Sequence, residues 1–146
     1  MHNQEEKSKM NLVEKLLRVD AGKADEKKEK KIISKRLGEL MGVNEGVEIT
    51  IREIPAKRMN DIMSKMFNSK GNFDMSKSFD AKAIACAEAV VEPDLKNKDL
   101  QEHFNCGTPK DLAVKLFGNE ITNISDEIAI LSGYSNVEDS DEEVKN

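Results

Sequence analysis

Aromatic residues are scarce in this 146-residue sequence, which has five phenylalanines, one tyrosine and no tryptophan. Leucine, isoleucine, valine and methionine must therefore supply most of any hydrophobic core. No apolar run approaches the roughly 18–20 residues that a membrane-spanning helix needs. The first ten residues, MHNQEEKSKM, lack the apolar segment of a secretory signal. We therefore expect a protein of the cytoplasm with no membrane segment.

Cysteine and histidine are also few. Cys86 and Cys106 lie twenty positions apart, and in a reducing compartment we expect two buried thiols and no disulfide. His103 and Cys106 have a spacing that suits two metal ligands, with Cys86 as a third, but a zinc site normally needs four ligands. The remaining histidine is His2. We predict no metal, no cofactor and no catalytic residue, and we keep a metal- or thiol-dependent enzyme as an alternative.

The charge is unevenly distributed along the chain, although the net charge is only −5. Residues 1–73 carry 16 basic and 12 acidic side chains, whereas residues 74–146 carry 7 and 16. Such a distribution suits head-to-tail association or a charged partner. We divide the chain into a disordered start at residues 1–9, one domain at 10–134, and a disordered acidic tail at 135–146.

Two amphipathic helices are predicted near the start of the domain. Asn11 is a plausible N-cap with Glu14 at the third helical position. The residues 23–36, KADEKKEKKIISKR, are then either a basic helix for nucleic acid or the solvated start of an ordinary helix. We favour the second interpretation, because acids interrupt the run and no aromatic residue can stack on bases. The predicted apolar faces are Leu12, Val13, Leu16 and Leu17 in the first helix, and Ile32, Ile33, Leu37, Leu40 and Met41 in the second.

The segment from Val47 to Arg52 alternates apolar and polar residues and is the best strand candidate. Pro55 then begins a helix with one apolar face. That face consists of Met59, Ile62, Met63 and Met66. Residues 68–78 are predicted to be a linker, which Phe73 and Met75 dock to the body of the domain.

The second half of the domain is predicted to be helical. The alanine-rich segment 79–91 is interpreted as the central buried helix, which ends before Pro93. A short helix follows at 98–104, and Thr108 and Pro109 mark the start of another that ends at Gly118. A last apolar stripe runs from Ile121 to Leu131.

These elements predict a mainly α domain of about six helices with one short β-strand or hairpin, so α+β at most. One strand cannot form a sheet alone. Its partner is therefore either a second strand in the chain, near Phe73, or a strand of another subunit.

The sequence resembles the XkdN-like family of tail assembly chaperones from tailed phages and prophages. The resemblance extends over most of residues 10–134 and is carried by the order of many short segments, not by a catalytic motif. It excludes residues 23–31 and the acidic tail. The segments are NLVEKLL at 11–17, IREIPAKR at 51–58, PDLK at 93–96, DLQEHF at 99–104, Cys106, TPKDL at 108–112, KLF at 115–117, IT at 121–122, ISDEI at 124–128 and LSGY at 131–134.

The resemblance implies a non-enzymatic protein of the host cytoplasm that binds the tape measure protein, a very long and largely helical chain. Such chaperones keep it soluble until tail tube proteins polymerise around it, and they are absent from the finished particle. The tail tube protein and further copies of the chain are additional partners to consider. In many such systems a ribosomal frameshift also makes a longer product.

The methionine-rich helix is our candidate for the partner-binding surface, because flexible thioether side chains adapt to varied apolar partners. The alternative is that these methionines fill a core that is poor in aromatic residues. The candidate binding residues are Met59, Ile62, Met63, Met66, Arg52 and Arg58. The alternative function is nucleic-acid binding through residues 23–36, which the acids within that run and the lack of aromatic residues do not favour.

Overall fold

A computed structural model describes residues 10–134, and these form a mainly helical domain around a small antiparallel sheet. The sheet consists of β1 (Glu29–Ser34), β2 (Val47–Arg52) and β3 (Val90–Glu92), in that spatial order. Seven α-helices accompany it in the described residues. They are α1 (Leu12–Leu16), α2 (Lys35–Met41), α3 (Ala56–Ser64), α4 (Met75–Ala89), α5 (Lys98–His103), α6 (Pro109–Phe117) and α7 (Ile121–Leu131). The predicted class, mainly α with a small β component, is confirmed.

The sheet is larger than predicted, because the basic segment contains a strand. Glu29–Ser34 pairs with β2 along its whole length, from Glu29 opposite Arg52 to Ser34 opposite Val47. The helix predicted for residues 23–41 is therefore wrong except for α2. Ile33, Leu40 and Met41, which were predicted to lie on its inner face, are 57%, 55% and 62% exposed. Strand β3, not a segment near Phe73, pairs with the other side of β2.

Ser34 marks the point where the strand becomes a helix. Its Oγ accepts a hydrogen bond from the Leu37 backbone N at 3.0 Å and donates one to the Glu120 carboxylate at 2.6 Å. The same carboxylate accepts from the backbone N–H groups of Lys35 and Arg36 at 3.0 and 3.3 Å. Glu120, which lies 84–86 positions later in the chain, thus accepts hydrogen bonds from the first N–H groups of α2, where a negative charge is favourable.

Helix α4 lies at the centre of the domain, as predicted, but the predicted bounds 79–91 are wrong: it begins at Met75 and ends at Ala89, and Val90 and Val91 belong to β3. Its alanines permit close approach of α6 and α7, because small side chains let helices pack at short distances. The fully or nearly fully buried apolar residues of the core are Leu37, Ile49, Ile51, Ile54, Met59, Ile62, Ala81, Ala83, Ala85, Cys86, Ala89, Val90, Leu95, Leu112, Ala113, Leu116, Phe117, Ile121, Ile124 and Ile128.

The predicted helix starts in the second half are confirmed at atomic detail. Thr108 accepts a hydrogen bond from the Asp111 backbone N at 3.1 Å, and Pro109 is the first residue of α6. Asn97 accepts in the same way from Leu100 N at 2.9 Å. At the end of α7, Ser132 Oγ accepts from Ile54 N at 2.9 Å and so joins the helix to the end of β2.

Helix α1 also begins as predicted, with the Asn11 side chain accepting from Glu14 N at 2.8 Å. Its apolar face does not pack against the rest of the described domain. Leu12 is 70% exposed and Leu17 is 80% exposed. The predictions for residues 1–9 and 135–146 lie outside the described residues.

Candidate partner-binding surface

The structure divides the predicted methionine face of α3 into a buried and a partly exposed part. Met59 and Ile62 are 3% and 1% exposed and belong to the core, so they cannot contact a partner in this conformation. Met63 and Met66 are partly buried and pack against that core from outside. Only the second pair can lie at a binding surface.

The two arginines of the predicted site lie in ion pairs within the domain. Arg52 donates to the Glu29 carboxylate from Nε and Nη2, at 2.9 and 2.6 Å, across the β1–β2 pair. Arg58 donates from Nε to the Glu88 carboxylate at 2.8 Å and connects α3 to α4. The hydrogen bond with Glu88 and the charge of Glu88 raise the pKa of Arg58. Either arginine would have to exchange its carboxylate to bind an acidic group of a partner.

A more exposed apolar surface lies at the turn between α3 and α4, which our sequence interpretation had treated as a linker. We call it the aromatic–methionine patch. Its members are Met63, Met66, Phe67, Phe73, Met75 and Phe79. Phe67, Phe73 and Phe79 are 48%, 55% and 42% exposed, and Met75 is 78% exposed. Three of the five phenylalanines of the sequence therefore lie outside the core, where no packing within the described domain requires them.

The backbone holds two of these rings in place. Asn68 N donates to Asn72 O at 2.8 Å, and Asp74 N donates to Met66 O at 2.8 Å. These bonds flank the bridged pair Phe67 and Phe73, and side chains of such directly opposed residues lie on the same side of the hairpin. The two rings meet edge to face with their centroids 6.2 Å apart. Backbone hydrogen bonds and the contact between the two rings therefore support this arrangement.

The turn and the start of α4 have local sequence causes. Asn68 Oδ1 accepts from the backbone N–H groups of Lys70 and Asn72 at 2.9 and 3.0 Å, and Gly71 adopts the positive φ of 82° that closes the turn. Asp74 caps α4 by accepting from Ser76 N at 3.0 Å. The hydrogen bond from the Ser76 side chain lowers the pKa of Asp74. These caps could have predicted a short turn in place of a long linker, but not the approach of Phe67 to Phe73.

The residues considered for catalysis or metal binding do not form a site in the described part of the chain. Cys86 is fully buried, as predicted, and its Sγ donates to Ile121 O at 3.6 Å. Cys106 is only partly buried, so the prediction of a buried thiol is wrong there. His103 is exposed and its ring lies edge-on against Phe104. Across residues 10–134 no three histidine, cysteine or acidic side chains lie where they could hold a metal ion. None of the helices in that range is long and apolar enough to cross a bilayer.

The basic segment has a structural use in this fold. Lys30 Nζ lies 2.7 Å from the Glu127 carboxylate of α7, and Lys31 Nζ lies 3.5 Å from that of Glu48 on β2. Two of its seven cations are thus paired, and Glu29–Ser34 of this segment form an outer strand of the sheet. Nothing in this arrangement favours nucleic acid as a ligand.

The buried thiol of Cys86 predicts a pH dependence of stability. Burial raises the pKa of Cys86 from its ordinary value of 9.0 to about 12. The folded state therefore keeps the proton that the unfolded chain loses, so this contribution to stability is complete below pH 9 and is lost as the pH rises towards 12. We expect the unfolding free energy of the wild type to decrease more steeply over this interval than that of Cys86→Ala, measured by urea denaturation. An equal decrease in the unfolding free energy of the two proteins would contradict the raised pKa of Cys86.

A small α+β domain with a concentrated exposed apolar surface has the features of a protein that acts by binding another chain. The chain belongs to the family of XkdN-like phage tail assembly chaperone proteins, because the family model matches residues 13–145. This match confirms the resemblance. The family is a class of assembly chaperones and not a class of enzymes.

A solved structure supports the fold independently. The crystal structure of the protein YqbN is similar to this chain with a TM-score of 0.52 and 21% sequence identity, over 75% of this chain and 88% of that one. At this identity the likeness shows the shared fold only. No curated protein matches the chain.

Proposed function

We propose that this protein binds the tape measure protein of its phage or prophage in the host cytoplasm. It keeps that long chain soluble until the tail tube protein assembles around it, and it leaves before the particle is complete. The observation that carries the proposal is membership of the tail assembly chaperone family over residues 13–145. The proposal adds to that membership the identity of the partner, the place of action and the outcome.

The exposed apolar side chains of the domain support this function. A long helical chain that has not yet been enclosed exposes apolar stripes, and these associate with one another unless another surface covers them. A chaperone for such a chain needs an apolar surface that accepts several related sequences. Phenylalanine supplies contact area, and methionine supplies a side chain that adapts its shape. The aromatic–methionine patch combines both residue types.

The hypothesis for the α3 face is retained in a narrower form. Met63 and Met66 contribute to binding as the inner border of the patch, and Met59 and Ile62 support it from the core. Arg52 and Arg58 contribute by exchanging their present carboxylates for acidic groups of the partner. We therefore expect polar substitution of Met63 to weaken binding of the partner, and polar substitution of Met59 to lower the stability of the fold.

Co-expression tests the function. The tape measure protein is produced alone and together with this chain, and its soluble fraction is measured after centrifugation. We expect a several-fold higher soluble fraction in the presence of the chain. The control is co-expression of an unrelated acidic protein of similar size. If the tape measure protein is equally insoluble with the chain and with the control, the proposed function is wrong.

A further inference from the structure

The charges around the aromatic–methionine patch differ in sign from those of the protein as a whole. Residues 65–77 contain three lysines, Lys65, Lys70 and Lys77, and only one acid, Asp74. The lysines are exposed and, within residues 10–134, none of them is part of an ion pair. The patch is therefore a local cationic surface on a chain with a net charge of −5.

Two of the three acids nearest the patch in sequence are already engaged, and the third, Asp61, lies two residues before Met63. Asp74 accepts hydrogen bonds from the Ser76 backbone N and side-chain Oγ, at 3.0 and 2.7 Å, as the cap of α4. Asp80 Oδ1 lies 2.7 Å from Lys110 Nζ, an ion pair that joins α4 to α6. The three lysines consequently remain available to a ligand. Asp74 and Asp80 have partners within the domain, and the charge of Asp61 acts on Arg58.

The lysines adjoin the apolar side chains along the chain. Lys65 directly precedes Met66, Lys70 lies in the turn between Phe67 and Phe73, and Lys77 follows Met75 by two residues. An amphipathic helix placed on such a surface would bury its apolar stripe against the rings and thioethers. The residues that flank the stripe would then lie within reach of lysine ammonium groups.

We propose that the patch binds amphipathic helical segments whose apolar stripe is flanked by glutamate and aspartate. This inference rests on the proposed function, in which the partner is a long helical protein, and it specifies which segments of that partner are bound. Apolar contact supplies most of the affinity, and the lysines select for acidic flanks and against basic ones.

Helix α1 offers no comparable selectivity, although its apolar face is also exposed. Lys15 follows Leu12 by three positions and Glu14 precedes Leu17 by three, so opposite charges flank the two edges of its apolar stripe. The sign of a partner's charge is therefore not specified there. The charge complementarity that identifies a partner is found at the aromatic–methionine patch.

Two synthetic peptides test the inference on the full-length protein. Both are 24-residue helices with the same leucine stripe, one flanked by glutamates and the other by lysines, and binding is measured by fluorescence anisotropy at 50 mM and 500 mM salt. We expect the glutamate peptide to bind at least about tenfold more tightly at low salt, with the difference decreasing at high salt. The net charge of the protein alone favours the lysine peptide, so the sign of the preference is decisive.

Variants then place the binding site. Phe67→Ser with Phe73→Ser is expected to weaken binding of the glutamate peptide by at least about tenfold, because buried aromatic anchors dominate such contacts. Lys65→Gln with Lys70→Gln and Lys77→Gln should remove most of the preference between the peptides. The matched control is Leu40→Ser with Met41→Ser, two exposed apolar residues of α2, for which affinity should not change.

Three results would overturn the inference. They are binding of neither peptide, a preference for the lysine peptide, and a Phe67/Phe73 variant that binds like the wild type while its thermal unfolding is unchanged. These outcomes are independent of the co-expression experiment. A chain that solubilises the tape measure protein but shows no preference between peptides retains the proposed function and loses only this inference.

Discussion

Replacing Phe117 by alanine is expected to lower the free energy of unfolding by about 3–5 kcal/mol. Phe117 is the last residue of α6 and is fully buried, and it is the largest fully buried side chain in the described domain. The cost combines the lost transfer of the ring from water into the core with the cavity that the substitution leaves there. Domains are stable by only about 5–15 kcal/mol in total, so this change removes a large part of the stability.

Urea denaturation followed by circular dichroism measures this effect. The matched control is Phe79→Ala, because Phe79 is 42% exposed and its removal should cost less than about 1 kcal/mol. Phe117→Leu should lie in between, since it retains most of the buried volume. Equal destabilisation by the alanine variants at 117 and 79 would show that Phe117 is not a central core residue.

The second large effect is expected at Gly38, where helix propensity and packing predict opposite changes in stability on substitution by alanine. Alanine is favoured over glycine within a helix by about 1 kcal/mol. A Cβ at Gly38, however, would lie 2.5 Å from Gly46 Cα and 2.7 Å from Val43 O, both of which are backbone atoms. Neither can rotate away, so the turn from α2 to β2 must move. We expect Gly38→Ala to destabilise the fold by about 2–3 kcal/mol.

Thermal or urea unfolding shows whether Gly38→Ala raises or lowers the stability of the fold. Gly107→Ala is the control, because a Cβ at Gly107 would meet no atom within 4 Å and should change the stability by less than about 0.5 kcal/mol. A Gly38→Ala variant that is more stable than the wild type would contradict the close approach of Gly38 and Gly46. The position also explains why this glycine occurs in the middle of a short helix.

Features with local causes could be predicted from the sequence. Asn11 and Thr108 cap their helices through their own side chains, within three residues of the atoms they bond. The central alanine-rich helix and strand β2 were predicted for the same reason, since composition and periodicity over a few residues determine them. Each of these elements is a confirmed prediction.

Strand β1 could not be predicted in this way. Its residues have the composition of a solvated helix, and they adopt an extended conformation because the whole segment pairs with β2. The helix that follows is capped by Glu120, which is remote in sequence. Tertiary contacts override local preference at this point, and a single sequence does not show which distant residues will supply them.

The candidate site was predicted only in part, because the burial and the contacts of its side chains also depend on tertiary structure. Periodicity correctly placed Met59, Ile62 and Met63 on α3, but Met66 lies in the turn beyond the end of that helix at Ser64. Periodicity also could not show that Met59 and Ile62 point into the core. Phe73 and Met75 of the aromatic–methionine patch were assigned to a docked linker at residues 68–78, because asparagine, serine and glycine dominate that segment. The apolar character of the patch depends on Phe67 and Phe73, which only the hairpin brings together.

The most direct test is to ask whether this protein and the tape measure protein form one soluble complex. Affinity-tagged chain is co-expressed with untagged tape measure protein, purified, and analysed by size-exclusion chromatography with light scattering. We expect a soluble complex that contains both proteins, and its loss when Phe67→Ser and Phe73→Ser are combined but not when Leu40→Ser and Met41→Ser are. Recovery of the tagged chain without any tape measure protein would contradict the account.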